Sequence, residues 1–67
     1  MKISARNQLG GTIKSITLGA VMAEVVVDVN GVEVVAAITR ASTENMSLKV
    51  GDQVVAVIKA TEVMIAR

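Results

Sequence analysis

The sequence contains no cysteine, histidine, phenylalanine, tyrosine or tryptophan among its 67 residues. Without Cys, disulfide bonds are excluded, and without Cys and His the zinc and iron sites built from those ligands are excluded as well. The missing aromatic residues are the side chains that bury the most area per residue. Because a lone core of this size rarely supplies more than about 3–5 kcal/mol of net stability, oligomerisation is the remaining means of stabilisation.

The chain is rich in apolar residues but has no long apolar run. Some 52% of its residues are hydrophobic and the formal net charge is +1, and charged residues such as Glu24 and Lys59 interrupt the apolar stretches. No stretch approaches the roughly 18–20 residues of a membrane span, and no signal-peptide pattern is present. The sequence therefore predicts one cytoplasmic domain, residues 1–67, with no membrane partner and with its apolar surface covered by other copies of itself.

Two large functional classes lack their usual residues. Enzymatic nucleophiles are few, and Ser or Thr would need a general base that this chain does not offer. Proteins that bind single-stranded nucleic acid stack bases on aromatic side chains along a basic groove, and this sequence has neither feature. We therefore expect neither an enzyme nor a nucleic-acid partner.

The clearest structural element is a β-hairpin in "VMAEVVVDVNGVEVVAAIT". Two runs rich in Val and Ile flank Asn30-Gly31, the pair that a type I′ turn prefers because both central residues need a positive φ. In each arm one alternating face is wholly apolar and the other is half apolar. Strands of that kind are covered on much of both sides.

The remaining segments complete a small all-β fold. "GGTIKSITLGAV" reads as a strand that starts at Gly10-Gly11, where a corner needs backbone freedom, with Gly19 at a turn or bulge. "TRASTENMSL" predicts a short helix, "KVGDQ" a turn, "VVAVIKA" a strand and "EVMIAR" a final strand. This order suits an OB-like five-stranded β-barrel with one short helix. An open sheet built from the same elements is the alternative.

Three separated groups of residues are suited to bind a small anion. Ser4 and Arg6 lie two residues apart on an extended segment, so their side chains project to the same side. Thr39 and Ser42 lie where the hairpin enters the helix, and Lys59 ends a buried strand. Guanidinium, ammonium, hydroxyl and backbone N–H groups are the donors that an oxyanion needs. Each residue alone also has a plain structural interpretation: a surface charge, a helix cap or a strand end.

Four segments give the chain a family resemblance. "ISARNQLGGTI", "GAVMAEVVVDV", "AAITRAS" and "VIKATEVMI" resemble, in order and spacing, the molbindins, which are small cytoplasmic molybdenum–pterin-binding-type (Mop) proteins that bind molybdate and tungstate. The resemblance covers essentially all 67 residues, and the Ser-Ala-Arg-Asn box is its most specific part. Because no DNA-binding or nucleotide-binding domain is attached, the chain resembles the free-standing form of this module.

The resemblance implies a homohexamer, a trimer of dimers, with molybdate or tungstate bound between subunits and no organic cofactor. By correspondence of motifs, the implied oxyanion-binding residues are Ser4, Ala5, Arg6, Thr39, Ser42, Lys59 and Ala60. Gly19, Ala20 and Val21 are implied to supply main-chain donors to a second class of oxyanion site. Glu62 follows the Lys-Ala pair, and we expect its carboxylate to face water.

The function implied is cytoplasmic binding and storage or homeostasis of these oxyanions. Sulfate is also a tetrahedral dianion, so shape and charge do not distinguish it from molybdate or tungstate. Sulfate is smaller, and in a pocket sized for the larger ions it would leave hydrogen-bond donors unpaired, at roughly 1–3 kcal/mol each. The alternative is a structural or regulatory oligomerisation module that signals molybdate status to a protein partner.

Overall fold

The architecture is a single four-stranded antiparallel sheet with one short α-helix, as seen in a computed structural model that describes residues 2–67. Met1, which belongs to the predicted domain 1–67, lies outside the described residues. The strand order is β3-β2-β1-β4. The elements are β1 (Asn7–Leu18), β2 (Met22–Val29), β3 (Val32–Thr39), α1 (Arg40–Asn45), β4 (Gln53–Ile58) and a 3₁₀ turn (Ala60–Glu62).

The hairpin between β2 and β3 follows directly from its turn residues. Asn30 and Gly31 both have a positive φ, 51° and 87°, as the type I′ turn requires. The Gly31 N–H also donates to the Asp28 carboxylate at 3.0 Å, which fastens the turn. The prediction of this hairpin is confirmed, and the alternating burial of β2 and β3 follows the faces expected from the sequence.

The longest strand, β1, holds the sheet together because it pairs with two different partners. Its first half, from Asn7 to Thr12, lies antiparallel to β4, and its second half lies antiparallel to β2. The register shifts between Ile13 and Ser15, so Lys14 occupies a β-bulge. Bulges bend and twist a strand, which allows one strand to serve both partners. Gly19 lies in the turn that follows, where its N–H donates to the Met22 carbonyl at 2.7 Å.

The hydrophobic core lies on one face of the sheet. Ile13 is 1% exposed, and it packs with Val25 and Val27 from β2. Leu48, which follows α1, and Val54 from β4 pack against this cluster. Between the edge strands β3 and β4 there remains an apolar cleft of about 220 Å³.

The fold class is confirmed as mostly β and OB-like, but the predicted count of five strands is wrong. The segment "EVMIAR" was expected to form a fifth strand, yet residues 63–67 join no strand of the described part of the chain. A strand needs a neighbour to pair with its backbone groups, and this segment has none within residues 2–67. Met64 and Ile65 are consequently 92% and 91% exposed. We call residues 63–67 the C-terminal segment below.

Gly10 and Gly11 lie within β1 rather than at its start, because the strand begins at Asn7. Neither residue has a positive φ. The constraint at Gly11 is space: a β-carbon there would lie 2.5 Å from the carbonyl oxygen of Asp28 and 2.8 Å from Cγ1 of Val27. At Gly10 a β-carbon would meet nothing within 4 Å. The predicted role in a strand corner is therefore replaced by a close approach of β1 to β2.

We expect Gly11→Ala to lower the free energy of unfolding by about 1–3 kcal/mol, the usual cost of forcing atoms into a packed site. Gly10→Ala is the matched control, and it should be neutral or stabilising by up to about 1 kcal/mol because Ala restricts the unfolded chain. Urea unfolding followed by far-ultraviolet circular dichroism, at one protein concentration, measures both. Equal midpoints for the two variants would contradict the close approach at Gly11.

Candidate functional site

The pairing of β1 with β4 brings the two predicted cationic residues together. Asn7, the first residue of β1, lies opposite Ile58, the last residue of β4. Arg6 immediately precedes one strand and Lys59 immediately follows the other. Because the strands are antiparallel, both residues emerge at the same end of the pair. Two groups that are far apart in the sequence are thus neighbours at one corner of the sheet.

A cavity of about 210 Å³ lies at this corner and is bordered by both segments. Its lining residues are Ser4, Ala5, Arg6, Lys59, Ala60 and Thr61. Five of the seven residues implied by the family resemblance therefore meet here. Thr61 is not among those seven residues. The 3₁₀ turn brings it to the cavity, with the Glu62 N–H donating to the Lys59 carbonyl at 2.9 Å. We call this cavity the Arg6–Lys59 cavity.

The Arg6–Lys59 cavity is electropositive. No carboxylate is among its lining residues. Within residues 2–67, neither Arg6 nor Lys59 forms a salt bridge with a carboxylate. Glu62 is exposed and is absent from the lining, in keeping with the expectation that it faces water.

Thr39 and Ser42 lie elsewhere, at the start of α1. The Thr39 hydroxyl caps the helix by accepting the Ser42 N–H at 3.0 Å, and it donates its proton to the Ser42 hydroxyl at 2.8 Å. The Ser42 proton therefore remains for another acceptor. Thr39 lines a second cavity, of about 460 Å³, together with Ala20 and Val21 of the predicted second class of site. The single chain does not bring these residues to the Arg6–Lys59 cavity.

Arg40 is a polar residue of the second cavity that the sequence reasoning missed. Its guanidinium donates to the Glu44 carboxylate at 2.9 Å and to the Gly19 carbonyl at 3.3 Å, while its backbone N–H donates to the Val21 carbonyl at 2.8 Å. Arg40 thereby ties the loop of Gly19, Ala20 and Val21 to α1. The sequence signal for Arg40 was its position directly after Thr39 in "AAITRAS". Glu44, four residues later, forms an ion pair with Arg40 and compensates its charge.

A third polar cavity, about 470 Å³, lies beside the hairpin and is unsuited to an anion. Its single lysine, Lys14, is hydrogen-bonded and ion-paired to Glu33, which raises the pKa of the Lys14 ammonium. Asp28 also lines this cavity, so its carboxylates outnumber its cation. Charge therefore distinguishes the three polar cavities, and only in the Arg6–Lys59 cavity is positive charge unopposed by a lining carboxylate.

Residues 2–67 contain no group of three or more Asp and Glu side chains close enough to hold a metal ion.

Neither helical segment of residues 2–67 has the length and apolar character needed to cross a membrane.

Comparison with known proteins places this geometry in a family. Residues 3–65 match the profile of the TOBE domain. A probable molybdenum-pterin-binding protein of Haemophilus influenzae is 46% identical over 66 residues, which are 97% of this chain and 96% of that protein.

Two solved structures share the fold. A molybdate-binding protein from Sporomusa ovata superposes with a TM-score of 0.96 at 49% identity, over the whole of both chains. The cytoplasmic molybdate-binding protein ModG, with molybdate bound, superposes with a TM-score of 0.85 at 43% identity, over 90% of this chain and 43% of that chain. The chain belongs to the TOBE-domain family and, within it, to the molybdenum-pterin-binding (Mop) proteins.

Proposed function

We propose that this protein binds molybdate and tungstate, as a cytoplasmic store that buffers these oxyanions, and that it needs no organic cofactor. The observation that carries the proposal is the Arg6–Lys59 cavity, in which two cations meet without a lining carboxylate. Relatives named as molybdate-binding proteins, one of them cytoplasmic, support the choice of ligand. The proposed activity is binding alone, with neither a catalysed reaction nor a nucleic-acid partner.

Five of the six lining residues have a definite role in this proposal. The Arg6 guanidinium provides a planar fork of N–H donors, and the Lys59 ammonium provides a compact charge, so together they match the two negative charges of the ligand. Ser4 donates a hydroxyl hydrogen bond, and the backbone N–H groups of Ala5 and Ala60 add uncharged donors. Bonds from the two charged donors are roughly twice as strong as the neutral ones.

The cavity in one chain is half of the proposed site. Thr39 lines a different cavity of the same chain, and Ser42 is hydrogen-bonded to Thr39, so we propose that both residues reach the ligand from a neighbouring subunit of a homohexamer, a trimer of dimers. The free proton of Ser42 would then have an acceptor. Gly19, Ala20 and Val21 are proposed to supply main-chain donors to a second class of oxyanion site.

Exposed apolar surface supports the assembly. Met64 and Ile65 in the C-terminal segment are more than nine-tenths exposed, and leaving such side chains in water costs about 1.5–3 kcal/mol each relative to burial. The apolar cleft between β3 and β4 is a surface of the same character. Contact between copies of the chain removes both from water.

Calorimetric titration with molybdate, tungstate and sulfate, after the mass has been fixed by light scattering, tests the proposal. We expect a mass of six times the 7.0 kDa chain and saturable molybdate and tungstate binding at a whole-number ratio to the hexamer. Sulfate should bind about 5- to 150-fold more weakly, as expected when one donor is left unpaired at about 1–3 kcal/mol.

Two results would contradict the proposal. Equal binding of sulfate and molybdate would mean that charge alone attracts the anion. A hexamer that ignores molybdate would instead support the alternative, a structural or regulatory oligomerisation module, and a pull-down with and without molybdate would then look for its protein partner.

A further inference from the structure

Two consecutive amide side chains, those of Asn7 and Gln8, form hydrogen bonds next to the Arg6–Lys59 cavity but are not among its lining residues. Asn7 Nδ2 donates to the backbone carbonyl of Ile58 at 3.2 Å, across 51 positions of the sequence, and the side chain is half-buried. Gln8 Nε2 donates to the backbone carbonyl of Ala5 at 3.0 Å. Successive side chains of a strand project from opposite faces, so the two amides hold the chain from both sides of β1.

The position of each bond links it to one wall of the cavity. Asn7 and Ile58 are the first pair of the β1–β4 register, and the chain leaves the sheet on both sides of them, towards Arg6 and Lys59. The Asn7 amide therefore joins β1 to β4 at the end of their pairing, next to the two residues, Arg6 and Lys59, that line the cavity. The Gln8 amide fixes Ala5, which is half-buried and lies between the cavity residues Ser4 and Arg6.

The hydrogen bond of Asn7 holds together two segments that carry like charges. Arg6 and Lys59 carry like charges at one small cavity, and like charges repel. A carboxylate in this position would attract Arg6 and Lys59, but it would also neutralise positive charge that an oxyanion ligand needs. A neutral amide holds the backbone through one N–H bond and leaves the cavity positive.

We propose that Asn7 and Gln8 are positioning residues for the oxyanion site: they preorganise its two walls without contacting the ligand. This inference rests on the proposed function of the same cavity. It assigns a role to the residues that follow Arg6 in "SARNQ".

Titration of Asn7→Ala with molybdate and sulfate tests the inference. The loss of one net hydrogen bond predicts a molybdate affinity about 3- to 10-fold lower. We also expect the ratio of molybdate to sulfate affinity to fall, because discrimination depends on donors held at fixed separations. Asn7→Asp should lose at least as much affinity, since its carboxylate has no proton to donate to Ile58 and brings a negative charge beside the cations.

The same strand pair supplies a matched control. Gln53 Nε2 donates to the Thr12 hydroxyl at 2.9 Å, at the other end of the β1–β4 pairing. Gln53→Ala removes a comparable bond between the same strands but lies away from the cavity. Melting followed by circular dichroism should show a lower melting temperature for both Asn7→Ala and Gln53→Ala, whereas molybdate affinity and selectivity should change only for Asn7→Ala.

Equal losses of affinity in Asn7→Ala and Gln53→Ala would overturn the inference, because they would show a general effect of weaker strand pairing. Wild-type affinity and selectivity in Asn7→Ala would overturn it as well. Should Asn7→Ala fail to fold, Gln8→Ala at an exposed side chain keeps the inference falsifiable: a 2- to 5-fold loss supports it and an unchanged affinity contradicts it. A wild-type protein that ignores molybdate contradicts the proposed function itself, so the two failures are distinct.

Discussion

Arg6→Ala is expected to weaken molybdate binding by roughly ten- to a hundredfold, the largest loss for any single side chain of the proposed site. A hydrogen bond from a charged donor contributes about 1.5–3 kcal/mol, compared with about 0.5–1.5 kcal/mol for a neutral donor. Arg6 also supplies one of the two positive charges at a cavity without a lining carboxylate. Calorimetric titration at one fixed ionic strength measures the loss.

Three variants separate the causes of that loss. Lys49→Ala removes the same amount of charge at an exposed turn away from the cavity, so it should leave the affinity within about twofold because surface charges are screened by salt. Arg6→Lys keeps the charge but loses the planar fork, and we expect an intermediate affinity. Ser42→Ala removes a neutral donor and should cost about 2- to 10-fold.

The pattern of the four affinities decides between explanations. If Lys49→Ala weakened binding as much as Arg6→Ala, the protein would attract anions through net charge, and the cavity would have no special role. If Ser42→Ala and Arg6→Ala had equal effects, the division of the site into charged and neutral donors would be wrong. Full affinity in Arg6→Ala would remove this residue from the site.

Local chemistry is the part of the fold that the sequence predicted well. The Asn30-Gly31 turn, the alternation of β2 and β3 and the short helix after Thr39 each depend on residues close together in the chain. The turn at Gly51 is of the same kind, with a φ of 95°. The family resemblance also named five of the residues that line the Arg6–Lys59 cavity.

Features that depend on contacts between distant residues could not be read from the sequence. The adjacency of Arg6 and Lys59 depends on the register that pairs Asn7 with Ile58, and composition alone does not fix that register. The close packing of Gly11 against Asp28 is likewise visible only when β1 and β2 are side by side.

The strand count was wrong for a related reason. The short continuous apolar run in "EVMIAR" is consistent with a strand, but the run does not say whether a partner edge is available. Thr61 was also missed, because the resemblance pointed only to the Lys-Ala pair that precedes it, and the 3₁₀ turn brings Thr61 to the cavity.

The double substitution Met64→Glu with Ile65→Glu is expected to break the proposed hexamer and reduce the mass in solution from the six chains proposed for the wild type to that of a smaller species. Both side chains are more than nine-tenths exposed in the single chain. Burial of each against another copy contributes about 1.5–3 kcal/mol per subunit, and a buried carboxylate without a partner would reverse that gain. Light scattering at several protein concentrations measures the mass.

Val32→Glu at the hairpin is the matched control, because it also replaces an exposed apolar residue, 64% exposed, with a carboxylate. It should keep the wild-type mass, and a double variant that also kept it would contradict the role of the C-terminal segment. The dissociated variant answers a second question. If Thr39 and Ser42 reach the ligand from a neighbouring subunit, dissociation should cost molybdate affinity even though Arg6 and Lys59 are intact. Wild-type affinity in the smaller species would instead mean that one chain holds the complete site.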